Sequence, residues 1–141
     1  MRKSLSTGLA FGLCVWASMA TAQELDVSKP LLCSLAEAMQ CEYQTGACKS
    51  LRPAEVNAPD FIEIDPVGKT LAAPFETQKS AIERSEVIDG KLFLQGVEDG
   101  FQSREDGMGW TILVTQATGR MVLSAASEDT GFVFFGACIP R

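Results

Sequence analysis

From Asp60 to the C-terminus, apolar and polar residues alternate in short runs separated by turn formers, the pattern of antiparallel hairpins. Phe61 to Asp65 has the period-2 alternation, Asp65-Pro66-Val67-Gly68 makes a turn, and Lys69 to Ala72 returns. After a connection at Ala73 to Gln78, a more polar extended run covers Ser80 to Ile88. Asp89-Gly90 is the type I′ dipeptide, because Asp and Gly tolerate the positive φ values that match strand twist. Lys91 to Glu98 follows, with Leu92 and Leu94 on one face and Phe93 and Val97 on the other, so this strand is expected to be central or covered on both sides. Asp99 to Gly109 is a polar, glycine-punctuated loop leading into Trp110 to Thr115. A turn at Ala117 to Arg120, with Gly119 at the left-handed position, precedes a strand at Met121 to Ala125. The final strand, Phe132 to Cys138, carries Phe134 and Phe135 on opposite faces, so cover is expected on both sides here too.

Upstream of these seven strands, Pro30 to Cys41 is rich in helix formers, with Ser28 as a candidate N-cap and Pro30 in the first turn. A helix is expected there, with a flexible lead-in at Gln23 to Lys29 and an ordered crossing at Lys49 to Pro59. The fold class that follows is α+β and mostly β. A curved antiparallel meander packs with one N-terminal helix, either wrapping it or closing toward a small barrel.

The first residues read differently. Met1-Arg2-Lys3-Ser4 opens an uncharged run from Leu5 to Ala20, and Ala20-Thr21-Ala22 supplies the small residues of a cleavage site. Residues 1–22 are therefore expected to be a signal peptide and 23–141 a single mature domain, with cleavage after Ala22. An uncleaved anchor fits less well, because the run falls short of the roughly 20 apolar residues a bilayer core demands. Lipidation at Cys14 is disfavoured by Leu13, where that chemistry wants a small residue, so Cys14 reads as an apolar residue of the leader. No later stretch approaches membrane length, so no span is expected after cleavage.

Loss of Arg2 and Lys3 would leave 10 basic residues against 18 acidic ones, moving the formal charge from −6 to −8. Nucleic acid is not the expected partner, since phosphate binding is driven by clustered Lys and Arg. An acidic surface instead attracts cationic proteins.

Four cysteines remain after the leader: Cys33, Cys41, Cys48 and Cys138. An even count in an exported chain points to two disulfides. If Pro30 to Cys41 is helical, Cys33 and Cys41 lie about 12 Å apart along the axis and cannot bond to each other. Of the two remaining connectivities, the favoured one joins Cys41 to Cys48 across a short loop containing Gly46, and ties Cys33 on the helix to Cys138 on the last strand. A redox or zinc site is disfavoured, because C-x-x-C spacing is absent and the chain has no histidine.

Without histidine, Ser-His-Asp and Cys-His arrangements are impossible. Carboxylates remain: Glu63 and Asp65 share a strand face, and Glu98, Asp99, Glu105 and Asp106 surround the long loop. Two acids facing water from an edge strand explain the first pair, and the loop lacks the EF-hand calcium pattern. No cofactor and no metal is expected. The same loop brings Phe101, Met108 and Trp110 beside a polar connection, which makes them candidate contacts for a ligand or partner. Trp110 can equally open its strand and cap the core.

Leu92-Phe93-Leu94-Gln95-Gly96-Val97-Glu98, Gly109-Trp110, Thr118-Gly119-Arg120-Met121 and Gly131 to Cys138 together resemble small exported proteins of Gram-negative bacteria. That resemblance implies a periplasmic address and carries neither an activity nor site residues. The expectation is a non-catalytic periplasmic module that binds a small apolar ligand or an envelope protein. An inhibitor of a cationic envelope hydrolase such as lysozyme is the alternative, and an enzyme built on carboxylates comes last.

Overall fold

The computed structural model describes residues 24–98 and 107–141. Ten strands form one antiparallel sheet: β1 (Leu31–Glu42), β2 (Cys48–Leu51), β3 (Phe61–Asp65), β4 (Thr70–Ala72), β5 (Ser80–Ala81), β6 (Arg84–Ile88), β7 (Lys91–Glu98), β8 (Met108–Thr115), β9 (Arg120–Ala126) and β10 (Thr130–Pro140). A short 3₁₀ turn occupies Pro53–Val56. The strand order is β5-β4-β3-β1-β10-β9-β8-β7-β6, with β2 paired to the second half of β1. Neighbours in sequence are mostly neighbours in space, as hairpin links demand. The exception is β1, which sits between β3 and β10 and so joins the two ends of the described domain.

The sheet curls into a half-barrel. Its first and last strands, β5 and β6, belong to one continuous segment, which turns from one neighbour to the other between them. Ile82 N–H donates to Lys69 O at 3.0 Å on one side, and Glu83 N–H donates to Gln95 O at 2.9 Å on the other.

The predicted helix at Pro30 to Cys41 is not formed. That stretch is β1, whose burial alternates through Leu31, Cys33 and Leu35 before a bulge between Leu35 and Glu37 resets the phase at Ala38. Its Ala, Leu, Met and Glu residues favour helix only weakly, and a lone helix of this length is marginal in water. As a strand the same residues gain eleven register partners on β10 and further pairs with β2 and β3. Ser28 is accordingly no N-cap: its N–H (3.1 Å) and its hydroxyl (2.6 Å) both donate to Asp26 Oδ1. The expected curved antiparallel, mostly β sheet is therefore present among the described residues as a half-barrel, without the N-terminal helix that made the class α+β.

The lead-in is not loose either. Leu25 N–H donates to Gln116 O at 2.8 Å, Gln116 Nε2 donates back to Leu25 O, and Leu25 and Val27 are buried with the core. Two apolar side chains, spaced by two, thereby cover one end of the curl beside the turn that follows β8. The crossing at Lys49 to Pro59 is ordered, as β2 and the 3₁₀ turn with Pro53 buried.

The turn chemistry holds where dipeptides specified it. Asp89 and Gly90 both have positive φ, 48° and 70°, between β6 and β7, and Gly119 stands at 68° between β8 and β9.

Inward residues fill the concave side. Leu31, Cys33, Ile64, Ile82, Leu92, Leu94, Ile112, Val114 and Met121 are all fully buried. Gly96 shows how tightly they pack: an added Cβ would overlap the Trp110 ring and come 2.5 Å from Ala81 O. The bare backbone of β7 is what lets the indole lie flat across it.

Two disulfides cross this frame. Cys33 and Cys138 face each other directly on β1 and β10, buried in the core with Cα atoms 3.9 Å apart. Cys41 and Cys48 are opposite each other on β1 and β2, with Cα atoms 4.1 Å apart, on the outside. The long-range bond thus ties strand to strand rather than helix to strand. Cys33 and Cys41 lie eight residues apart along one strand, about 26 Å, which separates them further than a helix would.

Candidate functional site

Met108 and Trp110 stand two apart on β8 and point to the concave side at the end where the described β7–β8 hairpin is interrupted. Trp110 is 6% exposed and belongs to the core, and Met108 packs against that core from its edge. The indole Nε1 is buried and has no hydrogen-bond partner among the described residues. A buried donor left unpaired costs about 1–3 kcal/mol, which packing of the ring over Gly96 must outweigh. Phe132 stacks on Phe134 at the same end, with ring centroids 6.1 Å apart. Phe101 lies outside the described residues, as do Asp99, Glu105 and Asp106.

The paired acids of β3 both have structural partners. Glu63 Oε2 accepts from Arg141 Nη1 at 2.7 Å, fastening the C-terminus across β1. Asp65 Oδ1 accepts the Gly68 N–H at 2.8 Å and organises the turn to β4. Glu98 is exposed at the end of β7. Among the described residues, no three Cys, Asp or Glu side chains converge as metal ligands would.

Among the described residues, the carboxylates of Asp26 and Glu55 are held below the ordinary range, and both belong to turns. Asp26 is lowered chiefly by the Ser28 hydroxyl it accepts, then by Lys29. Glu55 is lowered chiefly by the Arg52 backbone N–H at 2.7 Å. Each is stabilised as the anion by its donors.

Among the described residues, concavities open at two places of note on the surface. One, of about 300 Å³, lies between the β1–β2 hairpin and the turn before β10, and is lined by Glu42, Tyr43, Gly46, Glu128 and Asp129. The other, of about 700 Å³, is a shallow depression over the outside of β1, β9 and β10, lined by Ala36, Glu37, Arg120, Val122 and Phe135. Comparison with protein-family models, with curated proteins and with solved structures finds no significant match for the chain.

Phe61, Val97, Val122, Phe135 and Ile139, each more than a third exposed, lie on the convex side, while Val67 and Phe75 are exposed in turns and Val87 sits at the sheet edge opposite inward-facing Leu92. The double-sided apolarity of the strands at 91–98 and 132–138 was the sequence signal for this, and it pointed to a cover that the described fold does not supply.

Proposed function

We propose that the chain is an exported, non-catalytic binding module of the periplasm, and that it binds a protein by its convex side rather than a small apolar ligand in its interior. The observation that carries this reading is the filled concave side: Leu92, Leu94, Ile112, Val114 and Met121 are at 1% exposure or less, where a ligand-binding half-barrel would keep space. Two disulfides, one buried and one outside, suit an oxidising compartment. No helix of the described residues is long and apolar enough to cross a membrane. The acids that sequence spacing offered for catalysis, Glu63 and Asp65, are engaged in an ion pair and a turn.

Native mass spectrometry of the protein released gently from the periplasm, together with Trp110 fluorescence during titration with lipid-like ligands, tests the choice. Unchanged emission and an unliganded mass are expected. A co-purifying apolar molecule whose removal shifts the Trp110 emission refutes the protein-binding reading in favour of the ligand.

The inhibitor of a cationic envelope hydrolase is a narrower form of the same reading, favoured by 18 acidic residues against 12 basic in the whole chain. Lysozyme rates that stay constant at stoichiometric excess of the protein remove it.

A further inference from the structure

The two disulfides are nested in the chain: the short one, Cys41–Cys48, lies inside the long loop that Cys33–Cys138 closes. We propose that Cys48 steers this pairing as a resolving thiol. By taking Cys41, directly or by displacing Cys33 from it, Cys48 leaves Cys138 as the only partner open to Cys33. This role is independent of what the convex side binds and requires only an oxidising compartment.

Everything that brings Cys41 to Cys48 is local. Glu42 N–H donates to Ala47 O at 3.1 Å, and Gly46 N–H donates to Glu42 O at 2.9 Å. Gly46 supplies the left-handed residue at φ 63°, and Thr45 Oγ1 accepts the Ala47 N–H at 3.2 Å. The two cysteines flank this turn as direct register partners of β1 and β2. The hairpin can therefore present its own thiols to each other before any distant segment arrives.

Nothing local brings Cys33 to Cys138. Cys33 stands opposite Ile62 on one side and Cys138 on the other, and β1 is a strand only with those neighbours in place. Cys138 in turn donates its N–H to Gly119 O at 2.7 Å, so its position depends on the β8–β9 turn as well. Until the sheet forms, loop length governs which thiols meet. Closure falls as about the three-halves power of length, so Cys33 meets Cys41 roughly fiftyfold more often than it meets Cys138, 105 residues away, and meets Cys48 roughly twentyfold more often. The long native bond is the one that the unfolded chain is least disposed to make. A Cys33–Cys41 bridge would also forbid β1, which holds those residues about 26 Å apart.

Cys48 removes that bridge by exchange. Its thiolate attacks Cys41 Sγ, the Cys41–Cys48 bond forms as the Cys33–Cys41 bond breaks, and Cys33 leaves as a thiolate that takes up a proton, with no net oxidation. Once β10 pairs with β1, the Cys33 and Cys138 thiols give two electrons and two protons to an external disulfide, which is reduced to two thiols. The finished long bond is then sealed in the core, at 0% and 4% exposure, whereas Cys48 stays open to solvent.

The exported protein, reduced in denaturant and diluted into oxidised glutathione, tests this through acid quenching, alkylation and peptide mapping at successive times. Cys41–Cys48 should appear before Cys33–Cys138. In Cys48→Ser the first bonds of Cys33 should favour Cys41 over Cys138 by about fiftyfold, and in Cys41→Ser they should favour Cys48 by about twentyfold. Removing both competitors, in Cys41→Ser/Cys48→Ser, should restore the Cys33–Cys138 bond. The first bonds are read on chains that have not yet folded, so lower stability of a variant does not obscure them. A long bond that forms first in the unaltered chain, or as fast in Cys48→Ser, overturns the inference. So does a double variant that forms it as poorly as the single one, since Cys41–Cys48 would then serve to hold the hairpin rather than to spare Cys33. None of these results bears on the protein-binding reading.

Discussion

Replacing the two disulfides one at a time by alanine pairs separates what each contributes, because they close loops of very different length. Cys33 and Cys138 are 105 residues apart and Cys41 and Cys48 only 7. In the chain-entropy account the long loop is worth about 4.7 kcal/mol and the short one about 2.5 kcal/mol, both upper figures because the reduced denatured chain is not a random coil. The buried pair also leaves a void when its sulfurs go, since Cys33 and Cys138 are 0% and 4% exposed, whereas the outer pair faces water. The Cys33→Ala/Cys138→Ala protein should therefore be less stable than Cys41→Ala/Cys48→Ala by about 2 kcal/mol or more. Total stability of a domain this size is of order 5–15 kcal/mol, so the first variant loses much of it and should melt roughly 15–20 °C lower. Urea unfolding followed by circular dichroism at one pH measures both, with the slopes fitted separately because an uncrosslinked denatured chain exposes more surface. Equal losses, or a larger loss from the outer pair, would refute the view that the bond between β1 and β10 acts mainly by restricting the unfolded chain.

Accessibility orders the chemistry of the same bonds, so mild dithiothreitol followed by alkylation and peptide mapping should label Cys41 and Cys48 before Cys33 and Cys138. Gly96→Ala should cost about 1–3 kcal/mol in a thermal melt, because the methyl meets both the buried Trp110 ring and the Ala81 carbonyl, and it should also shift the Trp110 emission. Asp26, held low by Ser28 and Lys29, favours the folded state above the ordinary aspartate range, and that contribution is lost as pH falls through its lowered value. A carboxyl NMR titration should show the Asp26 midpoint move up toward the ordinary value in Ser28→Ala, and an unmoved midpoint would mean that the hydroxyl is not its main donor. Glu63→Gln should weaken the link to Arg141 with little loss of stability, because the Arg141 side of that pair is open to solvent, and a change beyond about 1 kcal/mol would contradict this.

Local chemistry in the sequence was enough for most of the sheet. Asp89-Gly90 and Thr118-Gly119 can adopt the turns that reverse the chain, and the alternation around them tells each strand which side to bury, so the hairpins from β3 onward were legible without knowing their neighbours. The stretch from Leu31 to Glu42 was not, because Leu31, Leu35 and Ala38 fit a helical face while Leu31, Cys33 and Leu35 fit a strand face, and composition tips the balance the wrong way. Only the ladder to β10 and the bond at Cys138 resolve it, and both partners lie about a hundred residues away. The docking of Leu25 and Val27 and the fit of Trp110 over Gly96 are likewise products of register between distant segments. A turn is chosen by the φ values of two residues. A central strand is chosen by what stands on either side of it, which no window of its own sequence contains.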